Sequence, residues 1–204
     1  MAGGAALGVP LTTVQAQALQ RLLDELDRWN QSYNLTAIKS REEMLTHHLL
    51  DSLAVAPFLR GQRVIDVGTG AGFPGLPLAI VQPQRQFVLL DSNGKKVRFV
   101  AHAARTLQLS NVAPVHARAE SHEDPSGFDC VVARAFAPLS ELIPLVAGLC
   151  SAETRVLAMK GRRDPQDREA LAEGWSIEAD HELLVPGLHE ARHVLVLRPP
   201  HRLG

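Results

Sequence analysis

The chain has 204 residues, with 21 Lys and Arg against 22 Asp and Glu and a formal charge of −1. Its 46% hydrophobic and 21% charged residues are the composition of a folded globular protein, which excludes a disordered chain. The near-neutral balance also excludes a polybasic coat for nucleic acid or membrane, so any phosphate-binding surface must be local. Two cysteines, Cys130 and Cys150, are too few for a disulfide framework and offer no zinc-ligand spacing, so no metal site is expected. Met1 to Pro10 carries neither a basic segment nor a sustained apolar one. The apolar run Leu76 to Val81 is far short of the roughly 18 residues that span a bilayer. A cytoplasmic protein without membrane association is the expectation.

In chain order, Thr12 to Trp29 places Leu19, Leu22, Leu23 and Leu26 at helical spacing, with Arg21, Asp24, Glu25 and Asp27 between them. A turn is expected at Asn30 to Asn34. Ser40, with Glu43 three residues later, reads as a capping box opening a second helix that runs to about Leu59. Residues 1–60 thus read as a helical N-terminal extension unable to bury its apolar faces alone, and residues 61–204 as the main domain.

From Gly61 onward strands alternate with helices. Strands are expected at Arg63–Val67, Gln86–Asp91, Val112–His116, Phe128–Ala133, Arg155–Lys160, Ser176–Leu183 and His193–Leu197. Helices are expected at Gly75–Val81, Asn93–Leu107, Leu139–Cys150 and Pro165–Glu173. Short apolar, β-branched runs separated by helices predict an α/β fold with a mostly parallel sheet covered on both faces. The last two strands have no helix between them, only a turn at Pro186–Gly187, which predicts an antiparallel hairpin at one sheet edge.

The most informative segment is Val64-Ile65-Asp66-Val67-Gly68-Thr69-Gly70-Ala71-Gly72-Phe73-Pro74-Gly75. It joins the first strand to a helix, the setting a nucleotide-type loop requires. Glycines at 68, 70 and 72 let the backbone turn tightly and approach a ligand. Asp66 at the strand end can receive backbone or ammonium donors, whereas beside a pyrophosphate it would be repulsive. No Lys follows in the P-loop spacing. Asp91 ends the second strand, 19 positions after Gly72, where a carboxylate accepts the hydroxyls of an unphosphorylated ribose. A cationic amino acid joined to a nucleoside satisfies all three features, and S-adenosylmethionine is that ligand. A purely structural turn and an NAD-type loop are the competing readings.

These residues resemble a known family. Val67 to Gly75 and Leu90-Asp91-Ser92-Asn93-Gly94-Lys95-Lys96 are similar to the RsmG (GidB) family, bacterial methyltransferases that modify guanine N7 in small-subunit (16S) ribosomal RNA. The resemblance continues through Trp29-Asn30, Tyr33-Asn34-Leu35-Thr36, His48-Leu49-Leu50-Asp51-Ser52-Leu53, Arg118-Ala119-Glu120, Arg134-Ala135-Phe136-Ala137-Pro138, Met159-Lys160-Gly161 and Arg192-His193, and so spans nearly the whole chain. It implies a Rossmann-like class I methyltransferase with a seven-stranded sheet. It also implies cofactor contacts at Gly68, Phe73, Ala119, Glu120 and Arg134, to which the loop reading adds Asp66, Gly70, Gly72 and Asp91. One departure is Ala133, where the family often has Ser.

Methyl transfer from a sulfonium requires alignment and exclusion of water. Guanine N7 carries a lone pair and no proton, so no general base is required. The chain agrees by omission: no Asp/Asn-Pro-Pro-Tyr/Phe segment follows the fourth strand, and neither cysteine sits in a Pro-Cys context. Positioning by cations remains. Arg134 and Lys160 are the expected substrate-positioning residues, and Lys95, Lys96, Arg118, Lys160 and Arg192 the expected RNA contacts, since all fall near the carboxyl ends of strands where ligands of open α/β sheets bind. Phe73 and Phe136 could stack on adenine or a flipped guanine, or pack under the loop. His48 reads as structural, and Asp51 and Ser52 as bonds between extension and main domain. The expected partner is small-subunit ribosomal RNA or the 30S particle, bound by a monomer with no role for DNA. The alternatives are methylation of another nucleic acid or small molecule, and a non-catalytic cofactor-binding module.

Overall fold

The computed structural model describes residues 2–134, 138–169 and 171–200. After a short helix α1 (Ala2–Ala6), helix α2 (Thr13–Tyr33) opens on a reciprocal capping box. The Thr12 hydroxyl accepts from Gln15 N at 3.2 Å, and the Gln15 amide oxygen accepts from Thr12 N at 3.0 Å. Both help satisfy orphan donors of the first turn. Leu19, Leu22, Leu23 and Leu26 form its buried stripe. The helix runs four residues past Trp29 and ends where Asn34 adopts a left-handed φ of 49°, so the expected turn begins later than the sequence suggests.

The second helical region begins at α3 (Arg41–Met44), where Ser40 Oγ accepts from Glu43 N at 3.4 Å. It widens into a π-helical segment, Leu45–Leu50, in which Asp51 N reaches back five residues to Thr46 O, and continues as α4 (Asp51–Leu53). Helical character stops short of the expected Leu59 and gives way to a 3₁₀ turn at Ala56–Phe58. Pro57 is the reason: it supplies no N–H and disfavours α geometry in the residue before it.

The sheet strands are β1 (Arg63–Val67), β2 (Gln86–Asp91), β3 (Val112–His116), β4 (Cys130–Arg134), β5 (Arg155–Lys160), β6 (Ser176–Glu182) and β7 (His193–Arg198). Their order is β3-β2-β1-β4-β5-β7-β6. The first five pair in parallel, while β7 pairs antiparallel with both β5 and β6. The connecting helices are α5 (Gly75–Val81), α6 (Gly94–Thr106) and α7 (Leu139–Val146). Edge strand β3 tolerates Pro114 because its outer side carries no ladder. Edge strand β6 is largely exposed and irregular between Ile177 and Ala179, features that blunt an open edge.

Alternate residues of each strand feed opposite faces, as a period of two requires. Val64, Phe87, Val132, Leu157 and Val196 pack on one side, and Ile65, Leu90, Val131, Val156 and Leu197 on the other. The second side is covered by α7 through Leu142, Ile143 and Val146. The buried stripe of α2 forms one cluster with Phe73 and Leu76 beside the glycine loop, Leu89 of β2, and Phe99 and Val100 of α6. The extension therefore buries its apolar faces by sharing a core with the sheet. Gln15 Nε2 reinforces this seam by donating to the carbonyls of Ile80 and Val81 at the end of α5.

The helix expected over Pro165–Glu173 is replaced, among the described residues, by a single 3₁₀ turn at Pro165–Asp167. The segment offers almost no apolar stripe to bury, so nothing offsets the cost of nucleating a helix. Its Asp167 is instead drawn into a buried ion pair with Lys160.

Candidate active site

The carboxyl ends of β1 to β5 and the start of antiparallel β7 lie along one edge of the sheet. The expected site residues are arrayed there in two neighbouring groups.

The first group lies across β3-β2-β1-β4. After β1, Gly68, Gly70 and Gly72 take φ of 69°, 62° and 86°. Added Cβ atoms would have different consequences at the last two. At Gly72 it would stand 2.3 Å from Leu76 Cδ1, whereas at Gly70 nothing lies closer than 4.0 Å. The loop is thus packed on its helix side and open over Gly70. Asp66 is fully buried, with one carboxylate oxygen accepting from Thr69 Oγ1 at 2.6 Å and from Gly75 N at 2.8 Å. Burial raises its pKa to about 6 despite those bonds. Asp66 therefore braces the loop from below rather than facing the crevice.

Asp91 at the end of β2 accepts from Gly70 N at 2.8 Å and from Asn93 N at 2.7 Å. An ionised carboxylate has about four acceptor positions, so capacity remains for further donors. Ala119, buried, and Glu120, exposed, start the 3₁₀ turn after β3, and Arg118 just before them is exposed. Lys95 is exposed and Lys96 half-buried in the first turn of α6, where Asn93 caps Lys95 N.

Phe73 takes the second of its two expected roles, packing under the loop rather than stacking on a ligand. Its ring is buried within the core and stacked on His48, with centroids 4.9 Å apart, so any contact it makes with a bound molecule must come through its backbone. Phe136 lies outside the described residues.

The second group surrounds a cavity of about 590 Å³ beside the first, between β4, β5, β7 and the N-terminal extension. Arg134 stands on the border of the two groups, at the end of β4. Its Nη1 donates to His47 O at 3.0 Å and lies 3.2 Å from Asp51 Oδ2. Arg192, ahead of β7, places Nε 3.3 Å from the other oxygen of Asp51. Asp51 thus joins extension to main domain as the sequence suggested. Ser52 does not: its hydroxyl bonds to His48 O within its own helix.

Lys160, expected to meet substrate or RNA, is buried and paired with Asp167. The turn Pro165–Asp167 folds back over the end of β5, so the charge of Lys160 is compensated in place. Arg162 is exposed at the cavity rim, and Arg163 pairs with Asp180 at 2.8 Å.

His48, which the sequence reads as structural, lines the same cavity. Its Nε2 bonds to Thr36 Oγ1 at 2.9 Å. Burial, then the charge of Arg134, lowers its pKa to about 4, so it is neutral at physiological pH. The Tyr-Asn-Leu-Thr segment is therefore tied to the cavity through Thr36. Sequence reasoning did not foresee the joining of Asp51, Arg134 and Arg192 or the Lys160–Asp167 pair. The spacing of His48 and Asp51 on one helical segment was the available signal.

The GidB family model, described as rRNA small subunit methyltransferase G, matches residues 15–196. The chain belongs to this family. Among its relatives, the ribosomal RNA small subunit methyltransferase G of Methylococcus capsulatus is 51% identical over 185 residues, covering 91% of this chain and 90% of that protein. The protein of the same name from Stutzerimonas stutzeri is 46% identical over 198 residues, covering 96% and 92%. Among solved structures, magnesium protoporphyrin IX methyltransferase from Synechocystis PCC 6803 aligns with a TM-score of 0.61 at 17% identity, covering 86% of this chain and 94% of that one. This last likeness establishes the Rossmann-like methyltransferase fold.

The residues of this GidB-family chain fit S-adenosylmethionine on two observations. The loop leaves space over Gly70 where a larger residue would intrude, and the Asp91 carboxylate beside it retains acceptor capacity for ribose hydroxyls. No helix among the described residues is long and apolar enough to cross a membrane.

Proposed function

We propose that this chain transfers a methyl group from S-adenosylmethionine to N7 of a guanine in small-subunit (16S) ribosomal RNA, without a general base. The observation that carries this reading is the chemistry of the cavity next to the glycine loop. Its walls present Arg134, Arg192 and Arg162 beside His47, His48, Asp51, Asp164 and His193, and two of these candidate bases, His48 and Asp51, are poorly disposed to take a proton. His48 is held near pKa 4, and Asp51 is engaged by two guanidiniums. Such a site suits a nucleophile that is already unprotonated, as guanine N7 is, and a polyanionic substrate.

The bound cofactor supplies an electrophilic methyl carbon. In this reading Gly68, Gly70 and Gly72 allow close backbone approach, with Phe73 contributing only its backbone. Asp91 accepts the ribose hydroxyls, Ala119 and Glu120 flank the adenine end, and Arg134 meets the carboxylate. Asp66 fixes the loop that these contacts depend on. Lys95, Lys96 and Arg118 hold RNA phosphates along the outer edge, and Arg192 does so at the cavity. Lys160 takes part as the inner half of its pair with Asp167, stiffening the cavity wall rather than meeting phosphate itself. Positioning of the base, and exclusion of water around it, are then the work of the protein. The protein acts in the cytoplasm as a monomer on ribosomal RNA or the 30S particle, with no part for DNA or membrane.

The test is transfer of labelled methyl groups to unmethylated 30S particles and to naked 16S RNA, followed by mapping of the modified nucleotide. Label at a single guanine N7 is expected. Label elsewhere, or cofactor binding with no transfer to any RNA, would overturn the reading.

A further inference from the structure

We propose that Asp51, carried on the N-terminal extension, is a positioning residue that holds Arg134 and Arg192 in one arrangement over the cavity, so that the extension completes the active site. This rests on the function proposed above and assigns it a residue outside the main domain.

Three separate elements converge on one carboxylate. Asp51 is 3% exposed at the start of α4, Arg134 ends β4, and Arg192 precedes β7. Each guanidinium meets a different oxygen, Arg134 at Oδ2 and Arg192 at Oδ1. Arg134 is fixed at a second point by His47 O at 3.0 Å. That carbonyl belongs to the π-helical segment Leu45–Leu50. Widened turns of this kind are frequent at functional sites. A guanidinium held at two points keeps its plane, and a fixed plane is what bidentate recognition of a carboxylate, phosphate or base edge needs.

Charge balance argues against a purely stabilising role. Two cations face one buried carboxylate, and the other carboxylates near them, Glu190 by Arg192 and Asp164 on the cavity, are solvent-exposed; a buried ion pair is in any case weak evidence for stability. Both arginine side chains keep 23% of their surface exposed and line the cavity. Asp51 lines it too, but is buried. The arrangement places the carboxylate behind and the two cations in front. Arg134 borders the cofactor crevice and Arg192 lies on the RNA side, so Asp51 links the two subsites.

The experiment compares Asp51→Asn, Arg134→Gln and the double variant in the full-length protein. Calorimetric affinity for S-adenosylhomocysteine is read alongside kcat and KM on unmethylated 30S particles and a thermal melt. Asp51→Asn should weaken cofactor binding and lower kcat by at least tenfold. In cofactor affinity the double variant should be no worse than Arg134→Gln, since on that side both substitutions disable the same guanidinium, while the freed Arg192 should raise KM further. Additive losses of cofactor affinity, or wild-type binding and kinetics in a folded Asp51→Asn, would overturn the proposal. Should Asp51→Asn fail to fold, Asp51→Glu keeps the charge but displaces it by one methylene. A wild-type melting temperature with a kcat reduced by at least tenfold supports positioning, and full activity in that variant overturns it. Cofactor affinity tests Asp51 whether or not the RNA substrate is the one proposed, so the two readings fail separately.

Discussion

The Asp91 carboxylate accepts the Gly70 amide at 2.8 Å, tying the end of β2 to the open part of the glycine loop. One side chain therefore shapes the loop and, in the proposed function, also accepts the ribose.

Asp91→Ala should consequently weaken both binding and folding. Loss of hydrogen bonds from ribose to a charged acceptor costs about 1.5–3 kcal/mol, roughly a 10- to 100-fold drop in cofactor affinity. Leaving Gly70 N and Asn93 N unpaired should lower the melting temperature by a few degrees as well. Titration calorimetry and a thermal melt check the two effects separately; undiminished affinity would remove Asp91 from the cofactor site.

At Gly72 the conflict is steric. Alanine there meets Leu76 Cδ1 at 2.3 Å on a backbone with φ of 86°, so Gly72→Ala should destabilise by about 3 kcal/mol or more. Gly70→Ala shares the strained φ of 62° but clashes with nothing. Its stability loss, measured by denaturant unfolding, should be the smaller of the two, while its loss of cofactor affinity should be clear.

Stability between pH 4 and 6.5 should reflect two opposing titrations. His48 falls from 6.5 to about 4 on folding, so in that window the unfolded chain binds the extra proton and stability rises with pH. Asp66 rises from 3.8 to about 6, so the folded chain holds the extra proton and stability falls as pH rises. Each contributes roughly 3 kcal/mol at full expression, so they largely cancel in the wild type. Relative to wild type, His48→Gln should lose its disadvantage as pH drops from 6.5 to 4, and Asp66→Asn should lose its disadvantage as pH rises over 3.8 to 6. Urea melts across this range measure both; parallel pH profiles for the three proteins would contradict the assignments.

The Lys160–Asp167 pair predicts a further asymmetry. Removing only the carboxylate, as in Asp167→Leu, strands a buried cation and should cost about 3–5 kcal/mol. The apolar double variant Lys160→Met with Asp167→Leu should recover most of that stability. If stability recovers but transfer does not, the charge of Lys160 matters to the reaction.

Much of this architecture is legible in the amino-acid order. Strands β1, β2 and β5 fall at their expected bounds, because buried parallel strands are written as short apolar runs between turn residues, and edge strand β3 does so too although none of its residues is fully buried. The loop is equally legible, since its glycines are demanded locally by backbone conformation. The cavity was not. Asp51 meets Arg134 across 83 positions, and no local period records such a pairing. Lys160 illustrates the same limit: its place at the end of an apolar strand suggested an available cation, while the Asp167 that compensates it arrives on a segment whose pattern suggested a helix. The stacking of Phe73 on His48 likewise joins the loop to an extension that sequence treats as a separate unit.

The π-helical segment has a consequence for how this helix tolerates change in length. A widened turn is an ordinary turn with one residue more. Deleting one position within Leu45–His47 would let the backbone return to regular α spacing, at no evident loss of hydrogen bonds. Residues after the deletion would keep nearly their present direction relative to Met44, because the widened turn is what absorbs the extra residue. Met44 and Leu53, both core residues, would stay seated, and Asp51 would keep its direction. What the deletion would disturb is the His47 carbonyl that meets Arg134. Related chains should therefore keep this stretch at constant length, since the extra residue serves a contact rather than the packing of the helix.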